Sequence, residues 1–247
     1  MLKPLKQLKS LQHQSLLCGN TFTILCWNVA KLSQKQSFQK YLDELIKQQS
    51  VDFLLLQEVK ESLASKISID EYSYVLSANM QTKKHIFGVL SAFKIACIKD
   101  KTLLTSMQEL SYMTHKSSLI THHVMNTNEE LVVVNLHSIN FVTSSTFKNE
   151  LDKILLHVKE YSGAIIVAGD FNTWSKKRVD ILREFRTKLG LKEVQLCNNK
   201  IKKVFNNSLD YVFYRGLHVE SSKVIDSKKI SDHNPIVVKF KIEGINE

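Results

Sequence analysis

Polar side chains suited to phosphate chemistry stand at the ends of apolar runs in this sequence. The run from Ala164 to Ala168 passes through Gly169 into Asp170-Phe171-Asn172, and such a run is typical of a strand buried on both faces. Side chains alternate along an extended chain, so we expect Asp170 and Asn172 to project to the same side. Taken alone, this pair is better explained as turn formers that hydrogen-bond their own backbone.

The same arrangement recurs along the chain, and turn formation does not account for all of it. Apolar segments also end at Asn28, Glu58 and His137. A hydrolytic site needs acidic groups for a metal, amides to orient phosphate oxygens and imidazoles for proton transfer. The sequence offers all three: Glu58 with Asp170 or Asp232, Asn28 with Asn172, and His137 with His233. Serine, cysteine and lysine candidates for a covalent nucleophile lack a comparable setting.

Alternating strand and helix patterns position these residues. Helices are predicted where apolar residues follow the helical period, from Phe38 to Ile46, from Ser144 to Tyr161, and from Val179 to Leu189 before Gly190. We expect the strand that begins at Val51 to end at Gln57-Glu58. The predicted strands are 22–27, 51–56, 72–76, 86–90, 95–98, 117–124, 131–136, 164–168, 209–214 and 236–240.

Composition favours one catalytic domain. The 247 residues are 43% hydrophobic, and we predict a basic N-terminal arm over 1–20, a catalytic domain over 21–243 and a tail over 244–247. The net charge of +10 favours a polyanionic partner such as nucleic acid. Four widely spaced cysteines match neither a zinc site nor a disulfide framework, and no apolar run approaches the roughly 18 residues of a membrane span. We therefore expect a cytoplasmic monomer without stable membrane insertion or an obligatory protein partner.

Six motifs resemble, in order, those of the endonuclease/exonuclease/phosphatase superfamily of DNase I and exonuclease III type. They are WNVAK at Trp27, LLLQEVK at Leu54, NLHSIN at Asn135, GDFNTW at Gly169, LDYVFY at Leu209 and SDHNP at Ser231. The resemblance covers about residues 21–243 and looks closest to the bacterial YafD-like branch. It implies an α/β (α+β) fold, a four-layer sandwich of two packed, mostly antiparallel sheets flanked by helices.

The resemblance also implies a metal site. Glu58 resembles the family's principal ligand for a divalent cation, Mg²⁺ with Mn²⁺ as an alternative. Asn28 would position the metal or its water, and Asp232 would support the metal or the phosphate. Ala30 is a departure, because exonuclease III-like enzymes usually carry a second polar ligand there. This departure weakens an assignment to abasic-site repair.

The remaining motif residues resemble catalytic and substrate-binding groups. Asp170 and Asn172 resemble the pair that handles the attacking water and the scissile phosphate, and Asp210 resembles the carboxylate that orients His233. His137 would be a general acid or a hydrogen-bond donor to phosphate. Asn140 matches a substrate-contacting asparagine, with a local loop amide as the alternative. The general base is His233, Asp170 or a metal hydroxide.

The leading hypothesis is a divalent-metal-dependent phosphodiester hydrolase, a nuclease acting on DNA or RNA. The first alternative is a phosphatase or phosphodiesterase acting on a small-molecule, lipid or inositol phosphate. A second alternative, a noncatalytic binding module of the same fold, predicts at least one broken catalytic position. The main positions are intact in this sequence.

Overall fold

The computed structural model describes residues 4, 7–12, 20–64, 69, 71–109, 114–125, 129–196, 201–204, 207–227 and 229–242. Helices in this part of the chain are α1 (Gln36–Gln49), α2 (Ser144–Val158) and α3 (Lys176–Lys188). Its strands are β1 (Gln7–Ser10), β2 (Thr21–Asn28), β3 (Phe53–Ser62), β4 (Ser73–Gln81), β5 (His85–Phe93), β6 (Cys97–Leu104), β7 (Ser117–Val124), β8 (Glu130–His137), β9 (Ala164–Asp170), β10 (Lys192–Glu193), β11 (Lys203–Val204), β12 (Asn207–Ser208), β13 (Asp210–Arg215), β14 (Leu217–Val224) and β15 (Ile236–Ile242).

Two large sheets organise the described residues. The first sheet has the strand order β1-β4-β5-β3-β2-β15-β14, and the second has the order β10-β13-β9-β8-β7-β6. Within the described ranges, each sheet has one parallel pair, β2 with β3 and β8 with β9, and its other pairs are antiparallel. β11 and β12 pair separately.

The sheets and helices form four layers. An apolar core between the sheets includes Phe22 and Phe53 from the first sheet and Val133 and Ile166 from the second. α1 packs Phe38, Tyr41, Leu42 and Leu45 on the outer face of the first sheet, while α2 and α3 cover the second. Burial of each large apolar side chain contributes about 1.5–3 kcal/mol. The predicted four-layer sandwich is confirmed.

The parallel pairs bring the carboxyl ends of their strands to one edge. α1 connects β2 to β3, and α2 connects β8 to β9. α2 begins after its N-cap Thr143, whose side chain accepts a hydrogen bond from the amide of Thr146. The register pairs Asn28 with Gln57 and His137 with Asp170. Polar residues from distant parts of the chain therefore meet at one end of the sandwich.

The prediction that the second strand ends at Gln57-Glu58 is wrong. β3 continues to Ser62, and Glu58 lies at a bulge where the register with β5 shifts between Leu56 and Val59. The backbone φ of Glu58 is +53°. A bulge turns one side chain away from the regular alternation of a strand, and here that side chain is the carboxylate.

Smaller differences concern element ends. The second helix ends at Val158 rather than Tyr161, and α3 begins at Lys176, directly after its N-cap Ser175. β14 was not predicted, because a register shift between Val219 and Ser221 breaks its alternation.

Part of the predicted N-terminal arm belongs to the first sheet. Gln7–Ser10 pairs antiparallel with β4 at the edge of that sheet. Residues 1–3, 5–6, 13–19 and the tail 244–247 lie outside the described residues, so the domain boundaries stay a prediction. In the described part of the chain, no helix is both long enough and apolar enough to span a bilayer.

Candidate active site

A hydrogen bond between the two sheets forms the floor of the site. Asn28 ends β2 and Asp170 ends β9, and the Asn28 side-chain amide donates to Asp170 Oδ2 over 2.9 Å. Asn28 Oδ1 accepts from the backbone amide of Ala30 at 3.1 Å. Both side chains are buried, so this contact fixes the orientation of each.

A histidine–aspartate pair stands beside this contact. Asp210 starts β13 directly opposite Asp170, and its Oδ2 lies 2.7 Å from Nδ1 of His233. A carboxylate only accepts, so Nδ1 carries a proton and Nε2 is the nitrogen that can take one. Nε2 lies 3.8 Å from Asp170 Oδ2. The carbonyl of His233 accepts from the Trp27 indole at 2.9 Å, which anchors the loop before β15.

His137 and Glu58 complete the group. His137 ends β8, and its Nε2 lies 3.7 Å from Asp170 Oδ2 and 3.8 Å from Glu58 Oε1. The Glu58 side chain is 25% exposed, and Lys31 and Lys116 approach its two oxygens at 3.9 and 4.0 Å. These distances exceed hydrogen-bond length, so the Glu58 carboxylate remains open to a further cation.

Burial and neighbouring charge shift the pKa values of the buried groups. Burial, followed by the charge of Asp210, raises the pKa of Asp170 to about 7. Burial alone lowers the pKa of His233, but the hydrogen bond and charge of Asp210 outweigh it and the pKa is raised. Burial, then the charges of Lys116, His233 and Lys31, hold the pKa of His137 well below its ordinary value. His137 is therefore neutral near pH 7.

Asn172 is fixed beside Asp170. Its backbone amide donates to Asp170 Oδ1 at 3.0 Å, and its side-chain amide donates to the Ser138 carbonyl at 3.0 Å. Asn172 adopts a φ of +51°, a left-handed conformation that asparagine tolerates better than most residues. These contacts connect the segment after β9 to the segment after β8.

Asn140 lies on that second segment. Its Oδ1 accepts from the Trp174 indole at 2.8 Å and from the Phe141 amide at 2.9 Å. Its own backbone amide donates to Glu109 Oε1 at 2.6 Å. With Oδ1 oriented by two donors, the side-chain NH₂ group is the end of Asn140 that can donate to a substrate.

Asp232 occupies a different setting from the other predicted residues. Its side chain is 64% exposed and forms an ion pair with Lys202. Partial burial by itself would raise the pKa of Asp232. The hydrogen bond to Lys202 and the charges of His233 and Lys202 outweigh that effect, so the pKa is lowered. Its role at a metal stays a prediction.

The donor set fits a divalent cation. Asp170, Asp210 and His233 offer ligand atoms that all lie within 4.8 Å of one another. The raised pKa of Asp170 reflects negative charge crowded into a buried space, and a bound cation would relieve it. Carboxylate and amide oxygens suit hard cations. The sequence placed the metal at Glu58, Asn28 and Asp232. Asp170 connects the cluster to two of these residues, because its Oδ2 accepts from the Asn28 side-chain amide and lies 3.7 Å from His137 Nε2, which is 3.8 Å from Glu58 Oε1.

The sequence interpretation missed several residues around the site. Four residues contact predicted site residues without having been given a role: Lys31, Lys116, Glu109 and Trp174. Lys31 and Trp174 end the WNVAK and GDFNTW motifs, whereas only their neighbours in space reveal Lys116 and Glu109. Arg178 directly follows Lys176 and Lys177 in the sequence, yet its side chain is buried. A signal was present, because Arg178, Leu182 and Phe185 share the buried face of α3.

The fold is of the DNase I-like type, which is shared by a family that consists in general of hydrolytic phosphoesterases. The model of the Endonuclease/Exonuclease/phosphatase family matches residues 25–233, and the chain belongs to that family. The chain is 32% identical over 230 residues to a UPF0294 protein of Photorhabdus laumondii, covering 90% of this chain and 84% of that protein. The resemblance to the YafD-like branch is confirmed by such UPF0294 relatives.

Solved structures show the same fold. A family protein from Leptotrichia buccalis aligns with a TM-score of 0.69 at 20% identity, over 90% of this chain and all of that chain. D. rerio TDP2, complexed with a single-strand DNA product, aligns with a TM-score of 0.66 at 16% identity, over 90% of this chain and 99% of that chain.

Proposed function

We propose that this protein is a divalent-metal-dependent phosphodiester hydrolase that acts on nucleic acid. The observation that carries the proposal is the meeting of the Asp210–His233 pair, Asp170 and Glu58 at the edge where both sheets end their parallel strands. This arrangement supplies a proton acceptor, an anionic group and a metal ligand within one site, of which the Glu58 side chain is 25% exposed.

The site residues have different roles in the proposed hydrolysis. His233 presents Nε2 toward Asp170 Oδ2, so a water held between them can lose a proton to the imidazole while Asp210 stabilises the resulting positive charge. Asn28 and Asn172 orient Asp170. His137 is neutral and suits a hydrogen-bond donor to a phosphate oxygen better than a general acid.

Glu58, with Asp170 on the other side of His137 Nε2, would hold Mg²⁺ or Mn²⁺. Asn28 would help to position the ion through its hydrogen bond to Asp170, while Asp210 and His233 keep their role in proton transfer. When bound, such an ion offsets negative charge on the phosphoryl and leaving oxygens. The family typically uses a divalent metal, which supports this assignment.

Charge supports a nucleic-acid substrate. The chain carries a net charge of +10, and Lys31 and Lys116 flank the site beside Glu58. The single-strand DNA product bound to D. rerio TDP2 adds support from a protein of the same fold. We propose a monomer that binds nucleic acid without a protein partner.

One observation favours the small-substrate alternative. A cavity of about 330 Å³ opens beside Glu58 and His137, with Lys31 and Lys116 in its wall and Met80 and Phe87 among its apolar lining. A pocket of this size also accommodates one small phosphate ester.

The decisive experiment measures hydrolysis by purified protein with Mg²⁺, with and without EDTA. The substrates are supercoiled plasmid, an abasic oligonucleotide and a chromogenic phosphodiester, and Glu58→Ala is the control variant. We expect metal-dependent cleavage of DNA that Glu58→Ala abolishes and that declines steeply with salt. Turnover of the small diester alone would reject the nuclease and favour the alternative.

A further inference from the structure

The buried arginine of α3 is unusual because arginine is almost never fully buried unless it is paired. Arg178 lies in the first turn of α3 and is 1% exposed. Burial lowers the pKa of Arg178 to about 10, so the guanidinium keeps its charge near pH 7. Its partners are backbone carbonyls of the site.

The guanidinium joins the two segments that follow the central strands of the second sheet. Its Nη1 donates to the carbonyls of Ile139 and Asn172, both at 3.0 Å, and its Nη2 donates to the carbonyl of Val142 at 3.1 Å. Ile139 and Val142 follow His137, and Asn172 follows Asp170. We call residues 138–142 the 138–142 loop.

Aromatic rings hold the guanidinium in place. Its central carbon lies 4.6 Å from the ring centroid of Phe147 and 4.8 Å from that of Trp174. Trp174 in turn donates to Asn140 within the 138–142 loop. The planar guanidinium donates hydrogen bonds to carbonyls in its plane while its two faces contact aromatic rings. The ammonium group of lysine cannot do both, so lysine is not an equivalent replacement.

We propose that Arg178 is a positioning residue that fixes Asn172 and the 138–142 loop relative to Asp170. Without its hydrogen bonds, three carbonyls lose their donor, and the connection between the two segments is weakened to contacts such as those of Asn172 with Ser138 and Trp174 with Asn140. The catalytic part of this inference rests on the proposed hydrolysis. The structural part, the hold on the loop, can be measured without any activity.

The structural test uses the indole signals of the two tryptophans. Trp174 donates to Asn140, whereas Trp27 donates to His233 on the other side of the site. In Arg178→Lys and Arg178→Met, we expect indole hydrogen exchange at Trp174 to accelerate at least about tenfold while Trp27 is unchanged. Arg186→Met is the matched control on the same helix, since Arg186 forms an ion pair with Glu193 at the surface. This variant should change neither signal.

Three results would overturn the structural part. They are unchanged exchange at Trp174 in both Arg178 variants, the same acceleration in Arg186→Met, and loss of both indole signals in Arg178→Lys as well as Arg178→Met. The last result would show that Arg178 supports the whole fold rather than the site.

The catalytic test compares kcat and KM on whichever phosphodiester the wild type cleaves. In Arg178→Lys, we expect kcat to fall about 100-fold with KM changed less than threefold, because misplacement by about 1 Å costs that much. A kcat within threefold of wild type would overturn the positioning role. If the wild type cleaves no diester, the proposed function fails, and the Trp174 signal still decides whether Arg178 holds the loop.

Discussion

The two ends of the sheet sandwich each bury a histidine, but the two histidines are in opposite electrostatic settings. His233 contacts Asp210 at the end of the sandwich that carries the candidate active site, which we call the catalytic end. His123 lies at the other end, between the rings of Phe53 and Phe93 at centroid distances of 4.9 and 4.7 Å. His123 pairs with Leu131 near the start of β8, and at about 3.3 Å per residue it lies about 20 Å from His137 at the end.

Burial is similar at the two ends, and the neighbours decide the charge. His123 contacts the Ala96 carbonyl and the Thr121 hydroxyl, and burial lowers its pKa to about 3. At His233, the carboxylate of Asp210 reverses the effect of burial and raises the pKa. Burial keeps His123 neutral near pH 7, as it does His137, whereas the carboxylate of Asp210 keeps His233 able to exchange a proton.

The largest expected effect is on activity, from a substitution at the catalytic end. His233→Ala removes the proposed proton acceptor, so kcat/KM should fall about 10³-fold, within the range for general acid–base catalysis. His123→Gln is the matched control and should retain kcat/KM within threefold when measured at pH 7.5. Near-wild-type activity in His233→Ala would reject the base assignment.

A backbone substitution at the catalytic end should cost stability. A Cβ on Gly169, whose φ is +146°, would lie 1.9 Å from the Leu136 carbonyl oxygen. We expect Gly169→Ala to lower the free energy of unfolding by about 3 kcal/mol in urea titrations, because the central strands must separate. Ala164→Gly, at the other end of β9, should cost about 1 kcal/mol. Equal losses of unfolding free energy in the two variants would show that the backbone at Gly169 has room for a Cβ beside the Leu136 carbonyl.

The pH dependence of stability tests the apolar end. The pKa of His123 is about 3 in the folded protein and about 6.5 when unfolded, so the unfolded chain binds an extra proton between these values. Stability from this group is present above pH 6.5 and is lost as the pH falls toward 3. Between pH 7 and 4.5 the loss from this group should be about 2–3 kcal/mol, and His123→Gln should remove it.

The control for that measurement is His218→Gln, because His218 is exposed. Urea titrations at both pH values should give His218→Gln the wild-type difference. If His123→Gln also keeps the wild-type difference, His123 is not the neutral core group that the geometry indicates.

The smallest expected effect concerns Asp232, at the surface of the catalytic end. Because it is exposed and paired with Lys202, we expect Asp232→Asn to change the free energy of unfolding by less than about 0.5 kcal/mol. We also expect it to lower kcat/KM less than tenfold, far less than Glu58→Ala. A loss as large as that of Glu58→Ala, measured across a Mg²⁺ titration, would place Asp232 at the metal after all.

The sequence revealed the site residues that end regular strands. Asn28, His137 and Asp170 close apolar runs, and strand alternation together with the order of the motifs sufficed to find them. Glu58 was found but placed at the wrong kind of position, because a bulge depends on the register with β5. Arg178 was not recognised as a site residue, because it directly follows two lysines although it lies on the buried face of α3.

The pairing of parallel strands also has a consequence for the order of assembly. Two β-α-β segments, 21–62 and 130–170, each close through local contacts, yet the Asn28–Asp170 hydrogen bond spans 142 positions. Contacts of such separation form late, since closing the intervening chain is entropically costly. Each half supplies only part of the catalytic group. The proposed hydrolysis is therefore expected only when the two segments are packed against each other. Fragments that carry one segment each are expected to be inactive until they associate.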